Sequence, residues 1–125
     1  NPLAASVALA ALNRLSGAEL LDNVRRQSDA LIDGLRSIDR ELGLFREIRG
    51  RGLMLGAVLA SHLAGKAAPA LDAAARHGLL LLQAGPDVLR LVPALNITTA
   101  DVEEGLRRLS LALREFASDC PAAPA

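Results

Sequence analysis

Two short apolar runs, Leu79 to Gln83 and Val88 to Val92, are joined by Ala84-Gly85-Pro86-Asp87. A Gly-Pro-Asp turn between runs of this length predicts a hairpin, so the chain is expected to hold an antiparallel pair of strands. Pro93 ends the second run, because proline has no N–H to give a ladder. At its centre stands Arg90, with Val88 and Leu89 before it and Leu91 and Val92 after. A guanidinium among four aliphatic side chains needs an anion, since burying an unpaired charge is costly. A carboxylate of this chain would serve. So would a ligand carboxylate or phosphate, clasped through two parallel hydrogen bonds. A charge-assisted contact of this type is worth about 1.5–3 kcal/mol.

The rest of the chain supplies helices for such a sheet to pack on. Asn1-Pro2 reads as an N-cap followed by proline at the first helical position. Residues 3–15 then carry one charge, Arg14, and are apolar on nearly every face, which predicts a helix covered on more than one side by a second domain or subunit. Ser16-Gly17-Ala18-Glu19 has the form of a capping box, opening a helix whose stripe is Leu20, Val24, Leu31, Leu35, Ile38 and Leu42 and whose stop is Gly43. Extended segments are expected at 44–49 and 53–60 around Gly50-Arg51-Gly52, the second buried or central in the sheet. A third helix is expected over about 66–77, with Ala67, Leu71, Ala74 and Ala75 inside and Gly78 as its stop. Thr98 or Thr99 caps a last helix with the stripe Val102, Leu106, Leu109, Leu113 and Phe116. From Ala117 onward the sequence reads as a disordered tail. The expected fold is therefore α+β, a two-layer sandwich with a small, largely antiparallel sheet of three to four strands against helices.

Several chemistries find no support in the residues. Fourteen basic and fourteen acidic side chains cancel, and Phe45 and Phe116 are the only aromatics, so neither nucleic acid nor an anionic membrane is an expected partner. No apolar run approaches the roughly 20 residues of a membrane span, and no signal peptide is visible. Gly50, Gly52 and Gly56 miss the dinucleotide fingerprint by one residue and open a strand where a phosphate site needs a helix; a glycine-relieved bend is the expectation. Lys66, the single lysine, sits at a helix entrance and reads as a solvated side chain. His62 and His77 lie fifteen apart with no ligand spacing, so no metal site is expected; His77 before Gly78 suits a helix C-terminus. Cys120 has no partner for a disulfide and no base, which fits a reducing compartment. Residues alone leave an anion-binding arginine on a domain without a catalytic group of its own.

Four stretches in order carry a family resemblance: Asn1-Pro2-Leu3-Ala4, then 47–56 (EIRGRGLMLG), then 83–90 (QAGPDVLR), then Pro93-Ala94-Leu95-Asn96-Ile97. Together they resemble the C-terminal part of the acetylornithine/succinylornithine aminotransferases, class III pyridoxal-phosphate enzymes, over residues 1 to about 116. The resemblance implies that residues 1–116 form the small C-terminal domain of a fold-type I enzyme, with 1–15 as an interdomain helix and 117–125 as the tail. It implies a cytoplasmic homodimer moving an amino group between an N-acylornithine and 2-oxoglutarate. The cofactor, pyridoxal 5'-phosphate, would be held by an upstream large domain that supplies the reactive lysine; this chain would contribute no catalytic or cofactor-binding residue and be inactive alone. Arg90 falls where the family places an arginine that receives a substrate carboxylate. Family members often carry Phe after that arginine, where this chain has Leu91, so packing beside the guanidinium is expected to differ. A stand-alone α+β regulatory or scaffold module that binds a small acid is the rival expectation.

Overall fold

The structure, a computed structural model, describes residues 1–120 of the 125. Helices α1 (Pro2–Leu15) and α2 (Ala18–Leu42) precede strands β1 (Phe45–Arg51) and β2 (Met54–Leu59). A 3-10 turn (Ser61–Leu63) leads to α3 (Ala67–Arg76), the hairpin β3 (Leu82–Gln83) and β4 (Val88–Leu91), and α4 (Thr99–Asp119). The four strands form one antiparallel sheet in the order β1-β2-β4-β3, so β2 is central as its apolar run suggested.

Alternation decides which face of that sheet is covered. Leu55, Ala57 and Leu59 on β2 and Leu89 and Leu91 on β4 are all buried, in one cluster with Leu31, Leu35 and Ile38 of α2, Ala67, Ala70, Ala73 and Ala74 of α3, and Val102, Leu109, Leu113 and Phe116 of α4. Burying each large aliphatic side chain contributes about 1.5–3 kcal/mol. The residues alternating with them, Met54, Gly56 and Val58 on β2 and Val88 and Arg90 on β4, turn to the opposite face, where Val58 is buried, Gly56, Val88 and Arg90 are half-buried and Met54 is exposed.

Helix α1 has no buried residue, although Asn1 caps it as expected by accepting from the Leu3 N–H at 3.0 Å. Leu3, Val7, Leu9, Leu12 and Leu15 all face outward, Leu3 being 72% exposed. A helix this apolar and this bare is what the sequence leads one to expect of an element built to be covered.

Several local expectations are corrected. Ser16 does not open a capping box: it ends α1 in a helical conformation, and its Oγ donates back to the Leu12 carbonyl at 2.8 Å. With that hydroxyl committed, extended Gly17 takes the N-cap position of α2 without a side-chain bond. The inner face of α3 is Ala67, Ala70, Ala73 and Ala74; Leu71 is half-buried and Ala75 exposed. The strand expected over 79–83 shrinks to Leu82–Gln83, because the Leu79 N–H returns to the Ala74 carbonyl at 2.9 Å and Leu80 is 88% exposed. Helix α4 continues through Asp119, past the expected end at Phe116, and Cys120 packs at the edge of the core; the remainder of the expected tail, 121–125, lies outside the described residues.

Charged side chains fasten α3 to α4. Glu115 accepts from Arg76 at 2.6 Å and pairs with His77 Nε2 at 2.7 Å, while Arg108 donates to the Gly78 carbonyl at 3.0 Å and to Glu104 at 2.7 Å. Hydrogen bonds from Arg107 and then Arg108 hold the Glu104 carboxyl down at about 2, and Arg76 and then His77 lower that of Glu115. Because both folded-state values lie below the ordinary one, their contribution is present above the ordinary carboxylate value and lost as pH falls through the folded value. Acid titration of the melting temperature should therefore show wild type losing its advantage over Glu104→Gln between pH 4.5 and about 2. A constant difference across that window would contradict the assignment.

Candidate functional site

Arg90 is placed by three layers of ordinary structure. The turn before it closes with the Ala84 N–H on the Val88 carbonyl at 3.0 Å, and Asp87 accepts from the Gly65 N–H at 2.5 Å. The loop after it is tied to α2, where Asn23 donates to the Leu95 and Ile97 carbonyls at 3.0 Å each and Gln27 donates to Thr99 Oγ1 at 2.9 Å. Thr98 then opens α4 in a true capping box with Asp101. Asn23 and the buried Gln27 escaped sequence reasoning, since a polar residue on a helix facing a distant loop has no local signature.

Register puts Arg90 opposite Gly56 on one side and Leu82 on the other, and Gly56 in turn opposite Arg49. Directly opposed residues share a face of the sheet. Arg49, Gly56 and Arg90 therefore form one row across the open face. A hollow of about 440 Å³ lies over that row, and Arg49, Arg51 and Arg90 line it together with Met54, Val88 and Ala84 and with no carboxylate. Arg49 makes one loose contact, 3.4 Å to exposed Glu47, and among the described residues neither Arg51 nor Arg90 has an ion-pair partner.

Arg90 itself is half-buried, and its Nε is buried without a hydrogen-bond partner. A buried donor left unmade costs about 1–3 kcal/mol, which an acceptor would remove. Of the two anions the sequence left open, an internal carboxylate is not found among the described residues. Leu91, the departure from the family pattern, is buried in the core.

The other candidates fall away from this hollow. Lys66 is exposed at the N-cap of α3, and His62 is exposed in the 3-10 turn. His77 ends α3 with its Nε2 against Glu115. Gly50 and Gly52 serve the β1–β2 turn, which Ser28 braces by donating to the Gly52 carbonyl at 2.8 Å. No group of three or more metal-ligating side chains occurs among the described residues, and no described helix is long and apolar enough to cross a membrane. The hollow over the Arg49–Gly56–Arg90 row holds guanidiniums, a thioether and aliphatics, with no amine to bond a pyridoxal aldehyde and no ring or carboxylate for its pyridine; on its other side Arg90 lines an apolar cavity that includes Asp101, with which it forms no ion pair. The lining of this hollow does not by itself fit that cofactor.

Comparison with known proteins decides the family. The family model described as aminotransferase class-III matches residues 1–113. The chain belongs to the class-III aminotransferases. An acetylornithine aminotransferase of Xanthomonas axonopodis pv. citri is 62% identical over 116 residues, covering 93% of this chain and 28% of that protein. A succinylornithine transaminase of Yersinia enterocolitica is 42% identical over 115 residues, again 92% of this chain and 28% of the relative. Among solved structures, the N-acetylornithine aminotransferase from Stenotrophomonas maltophilia K279a superposes with a TM-score of 0.89 at 58% identity, over 95% of this chain and 33% of that one. This class-III chain thus spans somewhat over a quarter of the length of the curated relatives it matches.

Proposed function

We propose that this chain is the small C-terminal domain of a pyridoxal-phosphate-dependent aminotransferase acting between an N-acylornithine and 2-oxoglutarate, with Arg90 receiving a substrate carboxylate. The observation that carries the role is a half-buried Arg90 with no ion-pair partner among the described residues, lining a hollow with two further arginines and no acid. Both named relatives act, by name, on acylated ornithines, which bear a carboxylate for such an arginine to hold.

The arginine orients and does not react. Its planar fork fixes both the place and the angle of a carboxylate, and positioning of this kind is how a group remote from the chemistry raises a rate. The cofactor supplies the electron sink for amino transfer and is held by residues outside this chain. Bare α1, with Leu3, Val7 and Leu12 outward, would be the helix that packs on that large domain. The complete enzyme would be a cytoplasmic homodimer, and this chain alone inactive.

The Xanthomonas relative, with this chain in place of its matching 116-residue segment, should be soluble and transfer the amino group of N-acetylornithine or N-succinylornithine to 2-oxoglutarate. A folded, cofactor-loaded chimera inert on both donors would overturn the assignment.

A further inference from the structure

We infer that Gly56 is a specificity-determining residue of the carboxylate site, its missing side chain being the space in which a substrate carboxylate reaches Arg90. The inference rests on the role proposed above for Arg90 and adds what decides which anions get there.

Neighbouring strands lie about 4.8 Å apart, so the backbones of Arg49 and Arg90 straddle a gap of roughly 10 Å with Gly56 at its centre. Any other residue at position 56 would raise a side chain into that gap, on the open face and into the hollow that Arg90 also lines.

The fold itself does not call for glycine there. Glycine weakens the interior of a strand, and β2 is central to this sheet. Six glycines of the chain have positive φ, and Gly56 is not among them, so an L-residue fits its backbone. A Cβ built on it first meets Val88 Cγ1 at 3.2 Å and then the Arg49 carbonyl at 3.8 Å. Val88 is half-buried at the rim of the hollow, and a movement of a few tenths of an ångström relieves the nearer contact. A methyl group is thus accommodated, whereas the two further methyls of valine would occupy the floor of the hollow. What glycine provides at position 56 is open volume next to an unpaired cationic donor.

The test uses the cofactor-loaded chimera and two amino donors, N-acetylornithine and N-acetyl-1,4-diaminobutane, the same molecule without its carboxylate. Gly56→Val should raise KM for N-acetylornithine about tenfold or more, leave kcat within about twofold, and leave the KM of the carboxylate-free amine within about twofold. Gly56→Ala should shift the first KM by less than about threefold. Should the valine variant lose solubility, Gly56→Val combined with Val88→Ala carries the test, since it vacates the neighbouring contact and still fills the floor. Equal losses on both donors, or an unchanged KM for N-acetylornithine, would overturn the inference. Arg90→Ala, run alongside, separates the two levels. If it impairs N-acetylornithine while Gly56→Val does not, the role of Gly56 fails and that of Arg90 stands; if Arg90→Ala is silent, both fail.

Discussion

Arg90→Ala, introduced into the chimeric or full-length aminotransferase, is expected to lower kcat/KM for N-acetylornithine by at least about thirtyfold with the cofactor still bound. The size follows from truncating one member of a buried, hydrogen-bonded charge pair, which costs about 2–5 kcal/mol. Part of that is the penalty for leaving the substrate carboxylate without a partner in a partly desolvated site. Arg90→Lys should recover some of the loss, because it restores the charge but replaces a two-pronged donor with a point charge on a flexible stem. The cofactor's absorbance should be unchanged in both variants, since nothing in the hollow around Arg90 suits a pyridoxal ring. Stability should hold as well: the wild-type guanidinium carries an unsatisfied buried Nε, and its removal deletes no ion pair to a described side chain.

The second large effect is on folding. Gly50→Ala is expected to destabilise the chain by about 3 kcal/mol or more, combining the strain of a disfavoured backbone region with a steric overlap. Gly50 has φ of 141°, and an added Cβ would run into the Met54 carbonyl oxygen and come within 2.8 Å of Leu55 Cα across the β1–β2 pair. Both obstacles are backbone, so no side-chain rotation relieves them. Gly43 offers the control, since it has φ of 62° at the end of α2 with nothing within 4 Å of its added Cβ. Gly43→Ala should therefore cost only the conformational part, about 1 kcal/mol. In thermal unfolding Gly50→Ala should melt several degrees below Gly43→Ala; equal melting temperatures would contradict the close-approach account of the turn.

These two glycines show where sequence reading stops. Gly50 belongs to a triplet that superficially resembles a phosphate-binding loop, and its position at the opening of a strand was enough to read it as a bend. That its hydrogen atoms face a carbonyl of the next strand depends on register, which no local pattern carries. The same holds at the site. Arg90 stood out because four aliphatics surround it, and the hairpin that presents it was legible from the turn between Gln83 and Val88. Arg49, Arg51 and Gly56 were invisible as a group, since only pairing of β1, β2 and β4 brings them over one hollow.

Helices followed a similar division. The stripe of α2 through Leu31, Leu35 and Ile38 and that of α4 through Leu109, Leu113 and Phe116 contrast sharply with charged neighbours, and both lie in the core. Helix α3 is mostly alanine, which offers little contrast between faces, so Ala67 and Ala74 were placed inside correctly while Ala70 and Ala73 were missed and Ala75 proves exposed. Ser16 could equally end one helix or begin the next, and the hydroxyl's bond to Leu12 settled it for the former. The long apolar face of α1 was legible as a surface that wants covering.

The central claim, that the Arg90 guanidinium receives the carboxylate of the amino donor, is tested most directly by a chemical cycle in single turnover. The rate of the amino-donor half-reaction is followed by cofactor absorbance for wild type and Arg90→Ala, each with N-acetylornithine and with N-acetyl-1,4-diaminobutane. Wild type should prefer the carboxylate-bearing donor, and Arg90→Ala should abolish that preference by slowing N-acetylornithine at least about thirtyfold while leaving the other donor within about twofold. Equal slowing of both donors, or a preference that survives the substitution, would show that the anion awaited by Arg90 is not the carboxylate of the amino donor.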